Sequence, residues 1–347
     1  MVERTLTERE LNRALLARQL LLERSELPIV GAIERVGGLQ TQYAPSAYIG
    51  LWSRLAGFER DHLTSALERR RVVQATLMRG TIHIVSRRDF PLFAEGVRRA
   101  RRDWWVRAAH RQTDARSIDA AAARRVRSFL SDGPRRRSEI VQALGMDNVT
   151  FNGVGVWLDL VRVPPSGTWE QRRADLYGLA DEWVGTPRAT SEQGLDHLVR
   201  RYLGGFGPAS RNDVANWAGV PAKALAPAFD RLRLRRFRDE RGGELLDLPR
   251  ATLPDPATPA PVRFLPTWDA TLLTHARRTQ ILPESHRPRV FDTKTPHSVP
   301  TFIVDGHVAG SWRHEGGRVR LQPFERIRRE ARRALDEEAG RLAEFLA

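Results

Sequence analysis

The sequence predicts an α+β fold: three tandem winged-helix units, then a small antiparallel β-barrel module closed by a C-terminal helix. Three observations carry that expectation. Helix-periodic stretches recur ahead of short apolar runs split by turns, and five prolines between Pro249 and Pro261 separate this repeated part from a strand-rich remainder. Helical periodicity then returns over Phe324–Leu346. The implied domains are 1–110, 111–190, 191–258 and 259–347.

In the first unit, Thr7-Glu8-Arg9-Glu10 is a capping box, in which hydroxyl and carboxylate satisfy each other's free backbone N–H groups. It starts a helix expected to run through Leu22. Pro28 opens a second helix to about Leu39, Ser46–Leu55 gives a third, and Asp61–Arg70 a fourth. Val73–Met78 and Thr81–Ser86 are apolar strands around Arg79-Gly80, a hairpin wing. Asp89–Ala109 is a basic linking helix that carries Trp104-Trp105.

The second unit begins near Ser117, with helices over Ile118–Leu130, Ser138–Leu144 and Phe151–Leu160. Its wing is expected from Val161–Val163 and Thr168–Tyr177, about the turn Pro164-Pro165-Ser166-Gly167. The third unit has a helix over Gly194–Leu203, another capped by Ser210-x-x-Asp213 and ended at Gly219, and a third over Pro221–Leu232. Strands within Leu234–Leu248 surround Arg241-Gly242-Gly243. Two helices joined by a tight turn ahead of a hairpin give the helix-turn-helix order with a wing attached.

Beyond the prolines, short strands are expected at Val262–Leu265, Leu272–Ala276, Gln280–Leu282, Thr301–Val304, His307–Trp312 and Gly317–Leu321. Asp305-Gly306 and Glu315-Gly316-Gly317 are hairpin signals.

Composition narrows the partner. The 347 residues carry 57 Lys and Arg against 42 Asp and Glu, a net charge of +15, and only Lys223 and Lys294 are lysine. A GC-rich genome accounts for the choice of arginine but not for the excess of cations. That excess points to a polyanion, and arginine forks onto phosphate oxygens and guanine edges. An anionic membrane is the rival, against which stands the lack of a basic helix with a bulky apolar face. No run of 18 apolar residues is present, and the N-terminal segment lacks the pattern of a signal peptide. Cysteine is absent, which excludes disulfides and thiolate chemistry. A cytoplasmic monomer is expected.

Most catalytic signatures are missing. Neither lysine follows a glycine, as a P-loop requires, and no His-Glu-x-x-His occurs. Asn152-Gly153-Val154-Gly155 lies in an expected helix, not in a strand-to-helix turn. The nine histidines have no metal-ligand spacing, so neither metal nor cofactor is expected.

One segment stands apart: Gly37-Gly38-Leu39-Gln40-Thr41-Gln42-Tyr43-Ala44-Pro45. On a helix, residues two apart diverge by about 200°, whereas on extended chain they share a face. The glycines and the proline disfavour helix here, so Gln40 and Gln42 can aim two amides at one point. A capping or surface role for the pair is the plain alternative.

Taken together, Leu39-Gln40-Thr41-Gln42, Leu77-Met78-Arg79-Gly80-Thr81-Ile82-His83-Ile84-Val85 and Arg263-Phe264-Leu265-Pro266-Thr267-Trp268-Asp269 resemble the winged-helix DNA glycosylase family of AlkZ and YcaQ. The resemblance covers essentially the whole chain. It implies a monofunctional glycosylase acting on N7-alkylated guanine in duplex DNA, with bulky natural-product adducts and interstrand crosslinks as further substrates. Gln40 and Gln42 match the Gln–apolar–Gln signature of the AlkZ branch, except that Thr41 replaces the apolar middle residue. As an extended-chain neighbour, Thr41 should face away from the site.

Such chemistry suits glutamines. N7-alkylguanine is already cationic and leaves without a strong acid, so the enzyme needs to stabilise a sugar cation and orient a water. An amide is not basic, but its carbonyl accepts from water and its NH₂ donates to sugar or phosphate oxygen. Expected DNA contacts are Arg79, His83, Arg135, Arg136, Arg277, Arg278 and His314. Arg135-Arg136-Arg137 precedes a helix N-terminus, where free N–H groups add to the charge. The contrasting reading is a non-catalytic winged-helix transcriptional regulator. Its recognition helices would carry base-reading side chains, yet Asn148–Leu160 and Pro221–Leu232 are mostly apolar or Ala-rich. A lesion binder that does not cut is the third reading.

Overall fold

The computed structural model describes residues 2–109, 120–185, 189–273, 279–291 and 298–347. The fold is α+β, with antiparallel sheets and helices interleaved along the chain. Strand β1 (Thr5–Leu6) leads into α1 (Glu8–Arg18), whose capping box joins Thr7 and Glu10 as expected. Helix α2 (Ile29–Arg35) ends four residues before the expected Leu39, because Gly37 and Gly38 take φ of +79° and +88°. The freed segment becomes strand β2 (Leu39–Gln40). Helix α3 (Ala44–Arg54) begins ahead of Pro45 rather than after it; a proline in the first turn removes an N–H that has no intrahelical acceptor. Helix α4 (Arg60–Glu68), the hairpin β3 (Val72–Thr76) and β4 (Ile82–Ser86), and the long α5 (Phe90–Ala109) complete this part.

The second stretch comprises α6 (Ala120–Leu130), β5 (Arg135–Arg136), α7 (Arg137–Ala143), α8 (Asn148–Trp157), β6 (Leu160–Arg162), β7 (Leu176–Leu179) and α9 (Ala180–Val184). Its expected start near Ser117 and Ile118 lies outside the described residues. Most of Thr168–Tyr177 forms turns rather than strand, held by Ser166 Oγ, which accepts from the N–H groups of Asp175 and Leu176. The third stretch runs α10 (Ser191–Phe206), α11 (Arg211–Ala218), α12 (Ala222–Arg231), β8 (Arg235–Asp239) and β9 (Glu244–Asp247). Ser210 and Asp213 cap α11 reciprocally, and Gly219 ends it in the left-handed conformation.

The C-terminal part contains β10 (Arg263–Leu265), α13 (Ala270–Leu273), α14 (Arg287–Val290), β11 (Thr301–Val304), β12 (His307–Glu315), β13 (Arg318–Pro323) and α15 (Arg329–Leu346). Two expected strands are corrected here. Of the expected strand Leu272–Ala276, Leu272 and Leu273 are helical and 274–276 lie outside the described residues; Gln280–Leu282 lies in a turn, although Leu272, Ile281 and Leu282 are all buried. Burial alone gives a short apolar run no preference for strand over helix or turn. Strands β10 to β13 form one four-stranded antiparallel sheet in chain order.

Pairing between stretches binds the molecule together. The first two hairpins share one six-stranded sheet of order β2-β4-β3-β6-β7-β5, with Ala75 opposite both His83 and Val161. Strand β1 pairs in parallel with β8, Thr5 opposite Arg238. One apolar core runs through Leu15, Val73, Phe93, Val161, Tyr202, Trp217 and Leu265, so it draws on every part of the chain. Helix α5 meets α10 closely where Gly96 faces Gly194, since a side chain on either would collide with the other's backbone. The proline-rich connection is strapped to α1: Pro256 O accepts from Arg9 Nε and Thr258 O from Arg13 Nε, each at 2.7 Å. Among the described residues no helix is long and apolar enough to cross a membrane.

Candidate active site

The Gln40 segment is shaped by what surrounds it. After Gly38 the chain extends along β4, with Leu39 opposite Ile84 and Gln40 opposite His83, and Thr41 N–H donates to Ile82 O at 2.8 Å. The backbone is therefore extended where both glutamines share a face. Gln40 Nε2 donates to Gln42 Oε1 at 2.8 Å. Gln40 is 8% exposed, whereas Gln42 is exposed and borders a large cleft. Thr41 is buried between them.

Arg79 sits at the tip of the β3–β4 hairpin. Its Nη2 donates to Gln40 Oε1 at 2.5 Å and its Nη1 to Trp217 O at 2.5 Å. Burial pushes its guanidinium down to about 10, still charged at neutral pH. Both terminal nitrogens thus have acceptors within the protein. The backbone at Arg79 is left-handed, φ +53°, and lies against Gly219, where a Cβ would stand 2.9 Å from Arg79 Cα.

His83 lies behind Gln40 and is 2% exposed. Burial first, and then the Arg79 charge, push it down to about 3, so the ring is neutral, with Nδ1 3.0 Å from Thr81 O. The expectation of a DNA contact at His83 meets a side chain with almost no surface to offer, on a central strand with Gln40 and Ala75 as its cross-strand neighbours. Arg135 and Arg136 are on β5; Arg136 pairs with Asp175 at 2.9 Å and Arg135 donates to Pro134 O. His314 is exposed near the end of β12, on the separate four-stranded sheet. Arg277, Arg278 and Lys294 lie outside the described residues, and Lys223 is exposed on α12.

The cleft beside Gln42 has a volume of about 1090 Å³ and lies between the β3–β4 tip, α5, α8 and the α11–α12 junction. Two of its arginines, Arg101 and Arg162, were not singled out in the sequence, whereas Arg137 belongs to the basic run named there. Arg101 donates to Thr76 O and Gly155 O, Arg162 to Thr76 Oγ1 and Tyr177, and Arg137 to Asn148 O and Asn152 Oδ1. Of its three aspartates, Asp159 pairs with Arg98 at 2.8 Å and Asp175 with Arg136, while Asp103 is 4.0 Å from Arg99. Trp104, 61% exposed, forms part of the wall. The walls are consequently basic with an aromatic surface, a combination suited to a polyanion that carries planar rings. The Trp104-Trp105 pair on a basic helix and the Arg135-Arg136-Arg137 run are the signals in the sequence that lead to this wall.

The C-terminal motif closes the site from behind. Arg54 on α3 forks onto Asp269, with both N–O distances 2.9 Å, and also donates to Thr271 Oγ1 at 3.0 Å. Burial acts to raise the Asp269 carboxyl, but the Arg54 charge and hydrogen bonds hold it below its ordinary value. A small cavity joins this pair to Gln40, Gly38 and Ser46. The three motif segments of the sequence thus converge on one place.

Comparison with known proteins bears on this arrangement. The profile of the family described as "DNA glycosylase AlkZ-like" matches residues 33–345. Streptomyces sahachiroi DNA glycosylase AlkZ superposes with a TM-score of 0.82, covering 98% of this chain and 97% of its own, at 19% sequence identity. At that identity the likeness speaks to the fold. No curated protein sequence matches the chain.

Proposed function

The chain belongs to the AlkZ-like DNA glycosylase family, and from that premise we propose that it is a monofunctional enzyme hydrolysing the N-glycosidic bond of N7-alkylated guanine in duplex DNA. The single observation that carries this reading is the Gln40–Gln42 hydrogen bond at the edge of a basic cleft. Two amides are linked, one buried and one open to substrate. His83, opposite Gln40 on the neighbouring strand, is buried and held neutral, so it offers no strong acid to the pair.

Gln42 Oε1 accepts one hydrogen bond from Gln40 and retains a lone pair for a water, while its NH₂ is free to donate to a sugar or phosphate oxygen. In the reaction the C1′–N9 bond breaks and its electron pair goes to the cationic base, which leaves neutral. The oriented water adds to C1′ and gives up its proton to solvent. The Gln42 carbonyl dipole serves the positive charge that develops on the sugar, since the Gln40 carbonyl is taken by Arg79. Gln40 holds Gln42 in register, and Gln42 meets the substrate.

Residues 1–110, 111–190 and 191–258 act in this reading as three winged-helix units, each a set of helices followed by a hairpin, and 259–347 as the barrel-like module. The cleft volume leaves space for bulky adducts and for a guanine still tethered across both strands. A lyase step would need an amine nucleophile, and exposed Lys223 lacks the desolvated setting that activates one. The enzyme works as a cytoplasmic monomer.

The test is a duplex carrying one N7-methylguanine, incubated with protein and then cleaved by alkali at abasic sites. Gln42→Ala and Gln40→Ala should each lose about 10²–10³ in single-turnover rate, roughly 2.7–4 kcal/mol, with little change in DNA affinity. Full activity in the double variant would remove the pair from the mechanism.

A further inference from the structure

We infer that Arg79 is a positioning residue that sets the orientation of both glutamine amides and is itself held in place by α11. This inference rests on the catalytic reading of Gln40 and Gln42.

A guanidinium has donors and no acceptor. The Arg79 Nη2 at 2.5 Å from the Gln40 amide therefore fixes the carbonyl oxygen, not the NH₂, on that side. Rotating the amide by 180° would set donor against donor. Gln40 must then present its NH₂ to Gln42, and Gln42 must answer with its carbonyl oxygen, the 2.8 Å bond observed. One direction of hydrogen bonding runs from Arg79 through Gln40 to Gln42, and each bond polarises the next. The outcome is a defined face on Gln42: one oxygen lone pair and an NH₂ group turned toward the cleft.

Arg79 could do this only if it were itself fixed. Its second terminal nitrogen donates to Trp217 O, the Trp217 ring is buried in the central core, and the left-handed backbone at Arg79 rests on Gly219. A side chain at Gly219 would displace the Arg79 backbone. The third stretch of the chain thus reaches the reacting amides through one arginine, although it carries neither glutamine. Two of its five N–H donors are thus committed within the protein, and because Arg79 also lines the cleft, the salt dependence of binding is what separates this role from a phosphate contact.

The experiment is a double-mutant cycle between Arg79→Ala and Gln40→Ala, read as single-turnover excision of N7-methylguanine, with duplex affinity and its salt dependence measured alongside. Arg79→Ala should slow excision about 10- to 100-fold while Kd stays within about twofold and the salt slope is unchanged. On the Gln40→Ala background the same change should cost less than about threefold, because the group through which Arg79 acts is gone. Added guanidinium, against sodium at equal ionic strength, should restore part of the rate to Arg79→Ala and none to the double variant. If Arg79→Ala melts below the assay temperature, Arg79→Lys, which keeps charge and length, should show a lowered rate that vanishes on the Gln40→Ala background.

Additive losses would overturn the inference. So would a weaker Kd with a salt slope reduced by about 0.9, the mark of one lost phosphate contact. Full activity in Gln40→Ala would instead overturn the catalytic reading beneath it, so the two failures are told apart by the single glutamine variant.

Discussion

At the scale of single residues, His83 gives the sharpest prediction on stability. Its folded-state value, about 3, lies below its ordinary 6.5, so the unfolded chain takes up the proton first. No penalty acts above pH 6.5. As the pH falls from there toward about 3, stability should drop by roughly 4 kcal/mol from this residue alone. Asp269 is held below its ordinary 3.8, so the stability it contributes disappears only in stronger acid, at the low end of that window or beneath it. Urea unfolding of His83→Gln between pH 7 and pH 4 should show a flatter pH dependence than the parent; parallel curves would show that His83 does not titrate there. The glutamine pair was legible in the sequence because a two-residue spacing on extended chain is a local fact. The surroundings of His83 and Arg79 were not. His83 stands on a central strand opposite Gln40 and Ala75, and Arg79 finds its second acceptor on Trp217, 138 positions away. Neither follows from any window of sequence around the residue.

Among the elements, α3 and the segment before α13 meet in a buried ion pair. Arg54 and Asp269 are each almost fully shielded, with bidentate geometry at 2.9 Å. Removing one partner strands the other charge, so Asp269→Asn should destabilise by about 3–5 kcal/mol. The apolar pair Arg54→Met with Asp269→Leu should cost less than either single change. Chemical denaturation of the four proteins measures this, and additive losses would contradict a coupled pair. Elements whose signals are local were readable: the capping boxes at Thr7 and Ser210, and the hairpins about Arg79-Gly80 and Arg241-Gly242-Gly243. Elements defined by distant partners were not. The joining of β3 to β6 places Gln74 opposite Arg162, a pairing set by packing across 88 positions rather than by either strand's pattern. Leu272 is buried through a short helix where alternation suggested a strand.

Over the whole molecule, net charge was legible and its focus was not. The +15 total is only a sum, while the folded chain gathers Arg101, Arg137 and Arg162 around a single cleft where Asp159 and Asp175 are paired with arginines. Non-specific duplex binding should accordingly weaken steeply with salt, with a log–log slope of about −0.9 per phosphate neutralised. A flat plot would mean that the basic surface serves some other purpose. The glutamine pair limits the chemistry: linked amides without a strong acid should suffice only for a base that is already cationic and leaves neutral. That limit is tested most directly by excision from matched duplexes carrying N7-methylguanine, uracil or 8-oxoguanine, each with and without alkali and with borohydride present. N7-methylguanine alone should be released, with an intact strand until alkali is added and no trapped protein–DNA complex. Efficient release of uracil, or a borohydride-trapped complex lost on changing Lys223 or Lys294, would contradict it.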